Sequence, residues 1–142
     1  MTDARLLAHQ LEWAATAEAA KNEDFNIVNG DVFRWKWMWS RIADYFGVEP
    51  VAFDGEVRPL EGRMQEAASQ WQRIATQFNL VEKDVSKLVS WWHTDADLGR
   101  PMEVVTDMSK SRKAGFLGFQ ATDEAFFELF DRLEAEGIIP GR

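Results

Sequence analysis

Residues 25–39 read FNIVNGDVFRWKWMW and join a short apolar run to an aromatic-rich segment. The run Phe25–Asn29 favours a strand, because aromatic and β-branched side chains fit a pleated surface. The pair Asn29-Gly30 is typical of a turn, and Asp31 is a residue type that caps helices. The stretch therefore predicts a strand, a tight turn and a helix that begins at Val32, with the rest of the chain packed around them.

Two secondary structures compete for the aromatic-rich segment. Aromatic residues stand at positions 33, 35, 37 and 39, and a period of two is typical of a strand. In favour of a helix, Met38, Ile42 and Phe46 continue an i, i+4, i+8 row, and Gly47 is typical of a helix C-terminus. We therefore expect a helix that ends near Gly47.

Apolar periodicity predicts helices elsewhere in the chain as well. The first helix is capped by Thr2 or Asp3 and runs to about Ala20. Further helices are expected from Leu60 to Phe78, from Val81 or Glu82 into the polar run His93–Gly99, over residues 108–114 after a cap at Asp107, and from Thr122 to Glu136. A connecting loop with two prolines follows Gly47, and Glu103–Thr106 is expected to form a brief strand.

The composition bounds the class of protein. A chain of 142 residues with 46% hydrophobic residues and seven tryptophans can bury one substantial core. The formal net charge of −8 and the sequence pI near 4.8 argue against a nucleic-acid or anionic-membrane surface, since both need basic residues. The chain has no cysteine, no apolar run long enough to span a membrane and no signal-peptide pattern. We expect an acidic, soluble, cytoplasmic protein that binds neither nucleic acid nor membrane.

No catalytic constellation can be assembled from residue spacing alone. The chain has no G-x-G-x-x-G or G-x-x-x-x-G-K loop to hold a phosphate. Its single tyrosine, Tyr45, is followed four residues later by Glu49 rather than by the lysine that short-chain dehydrogenases use. His93, Asp95 and Asp97 are metal-ligand types at alternate positions, which converge on a strand but diverge on a helix end. A solvated helix end fits them better, so we expect no catalytic and no metal-binding residues.

The tryptophans fit either a pocket or a core. Large aromatic side chains usually serve packing, which favours the core. However, Trp91 and Trp92 are adjacent and point about 100° apart on a helix, and Trp35, Trp37 and Trp39 cannot share one helical stripe. Some of this aromatic surface is therefore expected to meet a ligand, another subunit or a further domain.

Three stretches carry a resemblance to a known family. They are EDFNIVNGDVFRWKWMW at residues 23–39, the pair Trp91-Trp92, and MSKSRKAGFLGFQ at residues 108–120 with a helix and Ile138-Ile139-Pro140 after it. These stretches resemble the C-terminal part of the progesterone 5β-reductase/iridoid synthase-like enone reductases. Those enzymes are atypical extended short-chain dehydrogenases of the NAD-dependent epimerase/dehydratase type. The resemblance spans nearly all of this chain and less than half of a family member.

The resemblance implies a mainly α fold with a small β component (α+β), equivalent to the C-terminal lobe of a Rossmann-type enzyme without its dinucleotide-binding core. Residues 1–142 would form a single domain, with a late Rossmann helix and strand in residues 1–31 and a mostly helical substrate lobe in residues 32–142. The family's activity is an NADPH-dependent reduction of an enone's carbon-carbon double bond. The cofactor glycines and the tyrosine-lysine pair belong to the part that this chain does not match. We therefore expect no cofactor binding and no catalysis by this chain alone.

The same resemblance implies a pocket for an apolar small molecule in the helical lobe. The residues implied as substrate-binding are Trp37, Trp91, Trp92, His93, Phe116 and Phe119. The strand at Phe25–Asn29 would lack its neighbours, and an unpaired strand edge favours pairing. We therefore expect a homo-oligomer or a complementing Rossmann-domain chain. The alternative is a standalone apolar-ligand-binding or protein-interaction module without redox activity.

Overall fold

Helices account for the regular structure in the computed structural model, which describes residues 1–142. They are α1 (Ala4–Thr16), α2 (Trp35–Tyr45), α3 (Leu60–Arg63), α4 (Ala67–Gln77), α5 (Trp91–Leu98), α6 (Ser109–Lys113) and α7 (Thr122–Ala135), with 3₁₀ turns at Glu18–Ala20 and Val85–Lys87. The prediction of a mainly α fold is confirmed, and the predicted β component is absent. None of these helices combines the length and the apolarity that crossing a lipid bilayer requires.

The first helix begins where the sequence predicts. The carboxylate of Asp3 accepts hydrogen bonds from the backbone N–H groups of Arg5 and Leu6, at 2.7 and 3.4 Å, and so caps α1. The helix ends at Thr16 rather than near Ala20, because the next residue has extended backbone angles and a 3₁₀ turn follows.

The backbone divides into two compact units. The first contains Met1–Tyr45 and Val104–Glu128, and the second contains Phe46–Glu103 and Leu129–Arg142. The predicted boundary between residues 31 and 32 falls inside the first unit. That residues 1–142 behave as a single domain stays a prediction.

Aromatic contacts hold distant segments of the first unit together. Trp13 of α1 packs against Phe25 and Phe116, with ring centroids 5.1 and 5.4 Å away. Phe116 is 6% exposed, so this cluster belongs to the core of the unit. Aromatic pairs of this kind add about 0.5–1.5 kcal/mol each beyond the area they bury.

Within the first unit, α2 lies beside residues 122–128 of α7, and the two segments run in the same direction. Arg41 of α2 forms an ion pair with Asp123 of α7. One helical turn later, Tyr45 stacks on Phe127, with ring centroids 5.2 Å apart. Both contacts join residues spaced by four on each helix, which places one face of α2 against one face of α7.

The strand predicted at Phe25–Asn29 is not formed. The N–H of Asn29 donates to the carbonyl of Met1, and the carbonyl of Asn29 accepts from the N–H of Gln120, both at 3.0 Å. These are single hydrogen bonds to two separate segments, whereas a strand needs a neighbour that continues the ladder over several residues. The second predicted strand, Glu103–Thr106, is absent too.

Asp31 does not cap α2, which begins at Trp35 rather than at Val32. Its carboxylate instead accepts hydrogen bonds from the backbone N–H and the hydroxyl of Thr122, at 2.8 and 2.6 Å. Asp31 therefore serves the first turn of α7. The first hydrogen bonds of α2 run to the carbonyl of Arg34.

In the second unit, the helix predicted from Leu60 to Phe78 is divided into α3 and α4, with a break at Met64. The carboxylate of Asp95 on α5 accepts hydrogen bonds from the backbone N–H groups of Leu60 and Glu61, at 2.8 and 3.0 Å. This contact satisfies the start of α3 with a side chain that lies 35 residues further along the chain.

The helix predicted to begin at Val81 or Glu82 is also wrong, because the α-helix of that region begins at Trp91. The carbonyl of Glu82 accepts a hydrogen bond from the indole N–H of Trp71 at 3.0 Å. Asp84 caps the 3₁₀ turn that follows through its side chain. Such bonds compete with the helical pattern for the same backbone groups.

Contacts between residues distant in sequence close the second unit. The N–H of Val81 donates to the carbonyl of Gly137 at 2.9 Å, and the rings of Phe46 and Phe130 lie 5.1 Å apart. Asn79, with φ of +51°, lies just beyond the end of α4, as its residue type predicts.

Candidate functional site

Trp37 lies on α2 in the first unit and is 46% exposed. One helical turn later, the guanidinium carbon of Arg41 lies over the Trp37 ring system, 5.6 Å from its centre. The same carbon lies 5.3 Å from the ring centre of Phe127 on α7. A guanidinium over an aromatic face is attracted by the negative charge density of the ring. Arg41 therefore links Trp37 to the neighbouring helix.

An ion pair fixes Arg41 in this place. Its Nη2 atom lies 2.9 Å from Oδ2 of Asp123, whose side chain is 17% exposed. Arg41 was not among the predicted site residues. Its spacing of four residues after Trp37 is the sequence signal that could have found it, because such residues are neighbours on a helix surface.

The other tryptophans of α2 lie on a different side of the helix. Trp35 and Trp39 stack with ring centroids 5.4 Å apart, and Phe33 meets Trp35 edge-on at 5.3 Å. Trp37 stands apart from this stack, as the helical period requires. The prediction that the three tryptophans do not share one stripe is confirmed.

Phe119 is 59% exposed and packs against the main chain at Gly30. A Cβ atom on Gly30 would lie 3.1 Å from Cδ2 of Phe119 and 3.1 Å from Nη2 of Arg112. Gly30 has a φ of +101°, in the region that favours glycine. The absence of a side chain at residue 30 thus lets the Phe119 ring approach the backbone while much of that ring remains open.

Phe116 has a different environment from Phe119, although both were predicted to bind substrate. It is 6% exposed, and its Cζ lies 2.5 Å from where a Cβ would stand on Gly118. The same Cβ position lies 2.9 Å from Cδ1 of Leu6. Phe116 has the surroundings of a core side chain, and a substrate contact by it stays a prediction.

Trp91, Trp92 and His93 stand at the start of α5 in the second unit. Trp92 is 64% exposed and stacks on the His93 ring, with centroids 5.5 Å apart. Trp91 is partly exposed. Each unit therefore presents open aromatic surface of its own.

The His93-x-Asp95-x-Asp97 pattern is distributed around α5. Asp95 binds the start of α3, while Oδ1 of Asp97 accepts a hydrogen bond from Arg100 at 2.7 Å. Nε2 of His93 lies 3.6 Å from Oδ2 of Asp97. No group of three histidine, cysteine, aspartate or glutamate side chains is arranged to hold a metal ion.

Two of the groups with shifted pKa values belong to ion pairs of the first unit. Hydrogen bonds from the Arg5 side chain lower the pKa of Asp3 from 3.8 to about 2. The Glu23 carboxylate, 2.8 Å from Nζ of Lys110, raises the pKa of Lys110. These pairs serve structure, whereas the exposed aromatic faces of both units are suited to binding flat apolar molecules.

A shallow depression on α4 in the second unit has a volume of about 450 Å³. Its lining side chains are Gln72, Arg73, Thr76 and Gln77. All four are polar and lie on one helix, so the depression does not match an apolar ligand. None of the predicted substrate-binding residues contributes to it.

No family model matches this chain, but curated proteins resemble it over nearly its whole length. It is 36% identical over 141 residues to an (S)-8-oxocitronellyl enol synthase of Camptotheca acuminata. It is also 36% identical over 140 residues both to an (S)-8-oxocitronellyl enol synthase of Nepeta cataria and to a 3-oxo-Δ4,5-steroid 5β-reductase of Arabidopsis thaliana. Each match covers 98% of this chain but 36% of the relative's length. The chain therefore belongs to the family of the progesterone 5β-reductases and iridoid synthase-like enone reductases, and it spans 36% of the length of these relatives.

Proposed function

We propose that this chain is the substrate-binding lobe of an NADPH-dependent enone reductase-like protein and has no catalysis of its own. The match of 98% of the chain to 36% of each relative's length carries this proposal. On this proposal, the chain corresponds to the C-terminal part of the relatives, and the remainder of their length holds the cofactor. A complementing polypeptide would then supply NADPH and the groups that move hydride and proton.

The chemistry of the chain supports a binding role without a cofactor. The sequence lacks the glycine loops that hold a dinucleotide pyrophosphate. Four residues after Tyr45, where the tyrosine-lysine pair of the family needs a lysine, the chain has Glu49. Trp37, Trp92 and Phe119 instead offer exposed aromatic faces. Such faces suit a substrate with a conjugated carbonyl group on an apolar carbon skeleton, a class to which 3-oxo-Δ4,5-steroids belong.

The surface of the chain supports a missing partner. Large apolar side chains are open to solvent in both units, and Val32, Phe53 and Leu117 are each 77–78% exposed. Covering this surface favours association with a second copy or with a complementing chain.

The alternative function is a standalone module that binds an apolar ligand or a protein and performs no redox chemistry. On this alternative, the chain needs no further polypeptide to satisfy its buried polar side chains, and each buried side-chain nitrogen or oxygen does have a hydrogen-bond partner within the chain. The aromatic surfaces would then serve binding alone.

Two titrations of the purified chain test the proposal. In the first, NADPH fluorescence is followed as protein is added, and we expect no saturable binding, because the glycine loop is missing. In the second, quenching of tryptophan fluorescence by progesterone reports on the substrate surface, and we expect saturable quenching. Low-micromolar NADPH binding would contradict the lobe assignment, and absence of any progesterone binding would contradict the substrate role.

The two candidate functions differ in what the neighbouring DNA should encode. A reading frame upstream with G-x-x-G-x-x-G and Y-x-x-x-K motifs supports the reductase lobe. The protein that this upstream frame encodes, when mixed with the present chain, should then reduce an enone with NADPH. Progesterone binding without reduction in that mixture supports the standalone module.

A further inference from the structure

Arg41 contacts three other side chains of the first unit, which are Trp37, Phe127 and Asp123. The guanidinium of Arg41 lies over the rings of Trp37 and Phe127, at 5.6 and 5.3 Å from their centres. The same guanidinium pairs with Asp123 at 2.9 Å. Trp37 therefore has a charged planar group over its ring and yet remains 46% exposed.

The groups that hold Arg41 are themselves anchored. Asp123 lies in the first turn of α7, and its side chain is 17% exposed. Phe127 stacks on Tyr45 with ring planes 2° apart. Arg41 is thus fixed by two residues of α7, and a fixed guanidinium limits the rotamers open to the Trp37 indole.

We infer that Arg41 is a positioning residue that holds the Trp37 ring in one orientation, so that its exposed face forms a platform for a flat, apolar carbonyl compound. This inference rests on the proposed function for the class of ligand. Arg41 acts through Trp37 and is not itself the anchor of the ligand. Holding the ring before a ligand arrives reduces the conformational entropy that binding would otherwise remove.

The planar shape of Arg41 separates this role from a general need for positive charge. Lysine in its place keeps the charge that faces Asp123, but a compact ammonium does not stack on aromatic rings as a guanidinium does. Arg41→Lys should therefore release Trp37 while leaving the ion pair with Asp123 in place. Arg58→Lys is a matched control, because Arg58 pairs with Asp54 at 2.6 Å and with Glu56 at 2.7 Å in the second unit.

The experiment combines spectroscopy with ligand binding. The near-ultraviolet circular dichroism spectrum is recorded for the parent chain and for Trp37→Phe. The difference between the two spectra is the signal of Trp37 held in one orientation. We expect Arg41→Lys to lose most of this signal and to bind progesterone about five- to tenfold more weakly. Arg58→Lys should match the parent in both measurements.

The two arms keep this inference distinct from the proposed function. If the parent chain binds progesterone and Arg41→Lys has an unchanged Trp37 signal and unchanged affinity, the positioning role is overturned. If the parent binds no progesterone, the ligand class fails, and the circular dichroism arm alone decides whether Arg41 orders Trp37. Should Arg41→Lys fail to fold, Asp123→Asn removes the charge that fixes Arg41 and is expected to give the same loss of signal.

Discussion

The side-chain amide of Asn29 donates a hydrogen bond to the hydroxyl of Thr122 at 3.0 Å, although 93 residues separate them in sequence. Each residue is 2% exposed. The same hydroxyl donates to Oδ1 of Asp31 at 2.6 Å, and the oxygen of the Asn29 amide accepts from the backbone N–H of Asp3 at 2.5 Å. One buried network thus ties the start of α1, the turn at residues 29–31 and the start of α7 together.

Thr122→Val tests this network. Valine has nearly the shape of threonine but no hydroxyl, so the amide of Asn29 and one oxygen of Asp31 lose a partner in the interior. We expect the free energy of unfolding to fall by about 1–3 kcal/mol, measured by urea denaturation. Thr76→Val is the control, because the Thr76 hydroxyl bonds the Gln72 carbonyl on an exposed helix surface, and its effect should stay within about 0.5 kcal/mol. Equal effects of the two variants would contradict a structural role for the network.

Asp3 should make the stability of the chain depend on pH. Its pKa is lowered from 3.8 to about 2 in the folded state, mainly by hydrogen bonds from Arg5, so folding favours the ionised carboxyl. The stabilisation is therefore fully present above pH 3.8 and is lost as the pH falls through about 2. Urea midpoints of the parent and of Asp3→Asn should differ at pH 6 and converge toward pH 2. Asp24→Asn, at a fully exposed carboxyl, is the control and should show a much smaller difference.

Gly118 should tolerate no larger residue. A Cβ there would lie 2.5 Å from Cζ of Phe116 and 2.9 Å from Cδ1 of Leu6, and both neighbours are buried at 6% exposure. Gly118→Ala should therefore lower the free energy of unfolding by about 1–3 kcal/mol. Gly141→Ala has open space around its Cβ and is the control. Combining Gly118→Ala with Phe116→Leu, which shortens the side chain that the new Cβ meets, should recover part of the lost free energy of unfolding. No recovery would mean that Phe116 is not the residue that blocks a side chain at position 118.

Trp92 and Phe116 should respond in opposite ways to truncation. Phe116→Ala removes a core ring that is 6% exposed, so we expect a loss of about 3–5 kcal/mol in the free energy of unfolding. Trp92→Ala removes a ring that is 64% exposed, so we expect a loss of about 1 kcal/mol or less. If Trp92 contacts substrate, the same variant weakens progesterone binding. A loss of stability for Trp92→Ala as large as that for Phe116→Ala would instead identify Trp92 as core.

The α-helix boundaries that were predicted well depend on contacts within a few residues. Asp3 caps α1 through backbone groups two and three residues away. The predicted cap of α6, Asp107, lies one residue before the observed N-cap Met108, and its carboxylate accepts a hydrogen bond at 2.8 Å from the N–H of Ser109, the first residue of α6. Both residues of such a contact lie within one short stretch of sequence. Residue type and spacing were therefore sufficient to place these helix starts.

Two residues that were predicted wrongly, Asp31 and Asp95, bind partners far along the chain. Asp31 has the residue type of a local cap, yet its carboxylate binds Thr122, 91 residues away. Asp95 was weighed as a metal ligand and instead holds the start of α3, 35 residues earlier. A local pattern cannot show which of two equivalent backbone donors a carboxylate will reach, because folding brings the distant donor close.

The sequence by itself determined the family, the helical character and the absence of a dinucleotide-binding loop, since these depend on residue identity and periodicity. Only the tertiary structure decided which aromatic faces are available. Phe116 and Phe119 are the same residue type three positions apart, and one is 6% exposed while the other is 59% exposed. The physical reason is that burial depends on what the rest of the chain places against a side chain: Gly118 and Leu6 close over Phe116, while Gly30 supports one edge of Phe119 and leaves the rest of its ring open.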